Sequence, residues 1–139
     1  MKKTRSGDAE DDNIQTPPEL YALLDAEFQF DFDPCPYYAD FDGLTVPWGD
    51  SNYVNPPYNR RDKPKFIARA YKEWKENNAT SVLLIPAATG TKQFHDLILP
   101  NAEVRFLKGR VRFYKDDKPM AGKGKHDSML VIFRGMKKK

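Results

Sequence analysis

The chain has 139 residues, 40% of them apolar and 13% aromatic, which is enough for one domain around one hydrophobic core and too few for two. No apolar run approaches the roughly 20 residues of a bilayer span, and the basic start leads into acidic residues rather than an apolar leader, so a soluble, cytoplasmic protein with no membrane partner is expected. One cysteine and two histidines leave neither an internal disulfide nor a zinc cluster of the usual kind, and the net charge of +3 divides into −9 over residues 1–50, +4 over 51–99 and +8 over 100–139.

Residues 1–13 are polar and lack hydrophobic periodicity, which predicts a disordered arm before a domain over residues 14–134 and a basic tail over 135–139. Thr16-Pro17-Pro18-Glu19 predicts a helix start, with Thr16 as N-cap, Pro17 at the first helical position and Glu19 closing a capping box; Leu20, Leu23 and Leu24 continue the helix to about residue 26. Phe28, Phe30 and Phe32 alternate with polar residues and predict a half-buried strand ending at Pro34. Residues 35–49 are rich in Pro, Gly and Asp and read as loop. Tyr53-Val54 predict a short strand running into Asn55-Pro56-Pro57-Tyr58, because two prolines cannot continue a central ladder. A helix over residues 64–77 follows, with Phe66, Ile67, Ala70, Tyr71 and Trp74 on one face and Lys65, Arg69, Lys72, Lys75 and Glu76 mostly turned to water. Residues 81–85 are a continuous apolar run, the pattern of a strand covered on both faces. A short helix over residues 92–97, strands over 104–107, 111–114 and 129–133, a turn at 108–110 and a polar loop over 115–127 complete the chain. Alternating strands and helices imply an α/β sheet, parallel at its centre and closed by an antiparallel hairpin, with ligands outside the carboxyl ends of the strands.

The tetrapeptide Asn55-Pro56-Pro57-Tyr58 carries the most chemistry. An exocyclic amine on a planar ring is a poor nucleophile until its lone pair is localised. An Asn carbonyl and a neighbouring main-chain carbonyl can accept its two N–H groups, two prolines hold that carbonyl rigidly, and an aromatic ring can stack on the substrate. A base inside a duplex must leave the stack to reach such a site. A plain strand-to-helix turn uses the same residue types. The basic final third suits phosphate contacts through Arg110, Arg112, Lys115, Lys123 and Lys125, joined by Arg60 and Arg61 after the tetrapeptide; a solvated basic surface is the alternative. Cys35 reads as packing, and His95 and His126 as surface or structural residues.

The tetrapeptide resembles the catalytic motif of amino-group methyltransferases. With Gln15-Thr16-Pro17-Pro18, Phe30-Asp31-Phe32-Asp33-Pro34-Cys35, Asp42-Gly43-Leu44, Trp48, Leu83-Leu84-Ile85-Pro86-Ala87, Thr89, residues 105–113 and residues 128–133, the chain resembles the small phage and prophage DNA N6-adenine methyltransferase family over residues 14–133. The resemblance implies a shortened Rossmann-like domain, S-adenosylmethionine as donor, no metal, and double-stranded DNA as partner, in the host bacterial cytoplasm if the protein is phage-encoded. It implies that Asn55 and the Pro56 carbonyl polarise the amine above Pro57 while Tyr58 stacks on the base. By the same carry-over Asp33, Pro34 and Cys35 lie against the methionine end of the cofactor, Asp42 accepts from its adenine amine, and Thr16 and Pro17 cover its carboxylate. Pro34-Cys35-Pro36 stands where larger methyltransferases carry Gly-x-Gly, and the first later glycine is Gly43. The separation of Asp33 and Asn55 leaves no room for two of the usual strands. RNA or a protein glutamine as acceptor, and a catalytically silent binding module, are the alternatives.

Overall fold

The computed structural model describes residues 14–136. The arm expected over residues 1–13 and the last three residues of the basic tail lie outside the described residues. Helix α1 (Pro18–Phe28), strand β1 (Ser51–Val54), helix α2 (Lys63–Asn77) and strand β2 (Thr80–Pro86) are followed by a wide π-type turn (Phe94–Ile98) and strands β3 (Glu103–Phe106), β4 (Tyr114–Lys115), β5 (Lys118–Pro119) and β6 (Ser128–Phe133). Four strands form the main sheet in the order β1-β2-β6-β3. β1 and β2 run parallel, and β6 lies between β2 and β3, antiparallel to both.

The sheet owes its central place to two apolar runs. β2 and β6 bury both faces, and their residues alternate between two cores. Val54, Leu83, Ile85, Met129, Val131 and Phe133 pack with Phe66, Ile67 and Ala70 of α2. On the opposite face, Tyr53, Val82, Leu84, Leu130 and Ile132 pack with Leu24 and Phe28 of α1 and with Phe113. The fold is therefore a mixed α/β sheet with a helix on each side. Asn52, fully buried, ties the sheet edge together by donating to Gly49 O at 3.0 Å and Thr80 O at 3.1 Å.

Several sequence expectations change. The sheet is not parallel at its centre: the central pair β2–β6 is antiparallel, and the one parallel pair, β1–β2, lies at an edge. The closing strands do not form a hairpin: β3 and β6 are neighbours, yet residues 107–127 lie between them, and residues 111–113 are not a strand. Phe113 instead turns into the core as a loop residue, and only Tyr114 continues into the small β4–β5 ladder. The alternating Phe28, Phe30 and Phe32 do not make a regular strand. α1 continues through Phe28, Gln29 closes it at φ 50°, and Asp25 accepts the Gln29 N–H through its carbonyl and the Phe30 N–H through its carboxylate. Phe28 and Phe30 then stack at 5.9 Å, while Phe32 forms a single parallel bridge to Asn52 of β1. Pro17, not Thr16, is the N-cap of α1, and the capping box with Glu19 does not form, since the Thr16 hydroxyl is bonded to the Tyr53 hydroxyl.

Candidate active site

Asn55-Pro56-Pro57-Tyr58 leaves the carboxyl end of β1 as expected, and Asn55, Pro56 and Pro57 are buried. Asn59 fixes the exit from the motif. Its side-chain oxygen accepts the Asp62 N–H at 2.6 Å and its amide donates to the Asp62 carboxylate at 3.1 Å, so the chain turns directly into α2. The Asn55 amide donates to Ile14 O at 3.0 Å, which sets the orientation of the side chain. Its Oδ1 is buried and has no hydrogen-bond partner among the described residues. Leaving a carbonyl in this state costs about 1–3 kcal/mol, so the position favours a ligand that can donate to it.

Tyr58 is held at both ends. Its hydroxyl donates to Leu84 O of β2 at 2.8 Å, and its ring meets Phe113 edge-to-face with centroids 6.0 Å apart. Together with Ile14, Pro86 and Lys123 to His126, these two rings line a cavity of about 370 Å³. Lys123 and Lys125 thus stand beside Tyr58. So does His126, for which the sequence offered only a structural or surface role; nothing in its local pattern indicates that the loop over residues 120–128 folds back over the tetrapeptide. Gly124 makes that close approach, donating its N–H to Val111 O at 2.8 Å.

The other side of the tetrapeptide faces a second cavity of about 530 Å³, lined by Pro34, Cys35, residues 39–44, Pro57, Arg61, Asp62, Lys65 and Phe66. Consecutive residues of the motif therefore serve different spaces: Pro57 borders this cavity and Tyr58 the other. Asp33 shapes the turn beneath it by accepting the Cys35 N–H at 2.9 Å. Asp42 stabilises its own turn by accepting the Leu44 N–H at 2.9 Å. No glycine follows Phe32 directly, but a glycine supplies the close approach from another segment. A Cβ on Gly43 would lie 1.7 Å from the Pro34 carbonyl oxygen, so Gly43 lets residues 39–44 lie flat on the Pro34-Cys35 turn.

Arg69 locks that loop onto α2. Sequence periodicity turned Arg69 to water; instead its guanidinium donates to Leu44 O at 2.9 Å, Val46 O at 2.7 Å and the Glu73 carboxylate at 2.7 Å, and lies 5.1 Å from the Trp48 ring. The Trp48 indole in turn donates to Gly43 O at 2.8 Å. Burial pushes the Glu73 carboxyl up, but hydrogen bonds from Arg69 and Asn77 outweigh it and hold the group below its ordinary value.

The remaining candidates are dispersed. Thr16 and Pro17 do not border the Pro34-Cys35 cavity: Thr16 is bonded to the buried Tyr53, whose phenol is held well above its ordinary value by burial, and Pro17 lines a surface groove with Arg110 and Arg112. Arg61, grouped in sequence with the phosphate-contact candidates, pairs with Asp62 at 3.2 Å on the wall of the second cavity. Arg60 lies on a different cleft, together with Lys63, and Lys115 sits in the β4–β5 ladder. Arg105 is engaged elsewhere, donating to both carboxylate oxygens of Glu27.

No helix among the described residues is long and apolar enough to cross a membrane. No curated protein matches the sequence. The family described as DNA N-6-adenine-methyltransferase (Dam) matches over residues 3–139, nearly the whole chain, and the protein belongs to that family.

Proposed function

We propose that the protein transfers a methyl group from S-adenosylmethionine to the N6 amino group of an adenine turned out of duplex DNA. The supporting observation is the partnerless Asn55 Oδ1, buried in a motif whose next residues border two separate cavities. In this reading the target adenine enters the cavity of Tyr58 and Phe113. Tyr58 holds the ring plane, restrained by its own bond to Leu84. Asn55 Oδ1 and the Pro56 carbonyl accept the two N6 hydrogens, which withdraws the nitrogen lone pair from conjugation and directs it across the tetrapeptide.

The residues on the other side fit the donor. A cavity of about 530 Å³ is within the range of small-molecule sites, roughly 300–1,000 Å³. Its wall offers Asp40 and Asp42 as acceptors for amine or ribose hydroxyl groups and Arg61 as a cation for a carboxylate. When bound, S-adenosylmethionine supplies an electrophilic methyl whose bond to sulfur breaks as its bond to N6 forms; the surplus N6 proton leaves to water. Loop 39–44, fixed by Gly43 and Arg69, gives the wall its shape, and Pro57 separates the two spaces. Gly43 lets loop 39–44 close onto the Pro34-Cys35 turn and so form one wall of this cavity.

The test is incubation with labelled S-adenosylmethionine and unmodified double-stranded DNA of varied sequence, followed by nucleoside analysis. Label in N6-methyladenine is the expected result. Cofactor binding without any methylated adenine would overturn the proposed activity, and label appearing only in RNA would reassign the acceptor.

A further inference from the structure

Pro86, at the carboxyl end of β2, borders three cavities. One is the Tyr58–Phe113 cavity. The second, about 230 Å³, carries Arg60 and Lys63 on one wall and Thr91 and Gln93 on the other. The third carries Arg110, Lys125 and His126. The second and third also share Ala88, so the segment 86–88 is a ridge with a cationic cleft on each side and the Tyr58 cavity at its end.

The two clefts differ in charge balance. Arg110 has a carboxylate nearby, Asp127 at 3.6 Å. Neither Arg60 nor the Lys63 ammonium has a hydrogen-bond or ion-pair partner among the described residues, and no carboxylate lines their cleft. Lys63 is half-buried, and its loss of solvent holds the ammonium below the usual lysine range. Two cations line one small cleft that holds no carboxylate, and the half-buried ammonium has lost part of its water; an anion in the cleft would supply the missing counter-charge. The cleft is placed by local chain geometry, since Arg60 and Lys63 lie on the short turn from Tyr58 into α2 and Gln93 closes the far wall by donating to Pro64 O at 2.9 Å.

We propose that the Arg60–Lys63 cleft binds a backbone phosphate of the DNA strand that carries the target base. This inference rests on the reading of the Tyr58 cavity as the base site. The strand then crosses the ridge 86–88, with one phosphate against Arg60 and Lys63, the neighbouring phosphate against Arg110 and Lys125, and the nucleotide between them turned into the Tyr58 cavity. Phosphates on both sides of a flipped nucleotide anchor the backbone at the two points about which it rotates.

The test is the salt dependence of duplex binding by the full chain, measured without cofactor by fluorescence anisotropy. Each phosphate contact contributes about 0.9 to the slope of log K against log salt. Lys63→Met, which keeps the buried stem, is expected to lower the slope by about one and to weaken binding alike for all duplex sequences, with Lys63→Arg restoring both. Arg110→Ala is expected to lower it independently, and Lys72→Met, on the exposed face of α2, to leave it unchanged. S-adenosylmethionine affinity serves as the folding control for every variant. An unchanged slope in both Lys63→Met and Arg60→Ala overturns the phosphate site while leaving the methylation result untouched. A wild-type chain that binds duplex DNA but forms no methylated adenine overturns the activity and not the phosphate site, and one that binds no DNA overturns both.

Discussion

Removing the Asn55 side chain separates a catalytic acceptor from a structural one. Asn55→Ala deletes one hydrogen bond, from the amide to Ile14 O at 3.0 Å, worth about 1 kcal/mol net. The small void left behind adds a cost of about 1 kcal/mol. Against this, the substitution removes a buried carbonyl oxygen that has no partner, recovering about 1–3 kcal/mol of desolvation. The terms nearly cancel, so the melting temperature is expected to stay within about 4 °C of wild type. Transfer should respond differently, because an acceptor aimed at charge developing in the transition state is worth about 100- to 1,000-fold in rate. Thermal unfolding followed by circular dichroism, together with single-turnover methylation at saturating cofactor, reads both quantities. A fall of 10 °C or more, or a rate within tenfold of wild type, would refute the reasoning: the first would make Asn55 a structural residue, the second an idle one.

Gly43→Ala places a methyl group 1.7 Å from the Pro34 carbonyl oxygen, closer than any relaxation of one side chain can relieve, so loop 39–44 must lift. A loss of about 1–3 kcal/mol in urea unfolding and a larger fall in S-adenosylmethionine affinity by calorimetry are expected; unchanged cofactor affinity would contradict the loop's assignment to the donor. Tyr58→Phe keeps the ring while losing the hydroxyl's bond to Leu84 and should retain most activity, whereas Tyr58→Ala loses a stacking surface worth about 1–3 kcal/mol in duplex affinity or rate. Arg69→Met strands the Leu44 and Val46 carbonyls and deprives Glu73 of its cation, which should release the 39–48 loop to limited proteolysis. It also changes the acid limb. The Glu73 carboxyl is lowered in the folded protein, so its contribution is present above the unfolded-state value, near 4.3, and is lost as pH falls through the lower folded value. Stability should therefore decline more gently below about pH 4 in Arg69→Met than in wild type, as read by urea midpoints across pH.

The main sheet was legible where one local pattern sufficed. The apolar run at residues 81–85 could only be a covered strand, and the apolar face of α2 follows helical spacing. Asn55-Pro56-Pro57-Tyr58 was legible because its chemistry is compressed into four consecutive residues. Patterns with two physical readings misled. The alternating phenylalanines at 28, 30 and 32 suit a strand, but Asp25 can cap a helix end there, and capping prevailed. Residues 111–113 have strand composition, yet Tyr58 and Gly124 provide partners that draw them out of the sheet. Arg69, Gly43 and His126 were illegible for another reason. Each acquires its role from how a separate segment folds against it, and an arginine at a surface-facing helical position looks the same whether it meets water or the carbonyls of a loop.

The bond from Asn55 to Ile14 has a consequence for the order of folding. Ile14 belongs to a segment pinned by Gln15, which exchanges two backbone bonds with Tyr114, at 2.7 and 2.9 Å. The orientation of the Asn55 amide thus depends on a contact between residues 15 and 114, far apart along the chain. Such a closure has a large loop entropy and forms late. Helices and sheet can be complete while Asn55 still rotates, so secondary structure should return in refolding before methyl transfer does. Enzymatic competence is then a clock set by the slowest long-range closure, and an emerging chain stays chemically silent until its last third has left the ribosome.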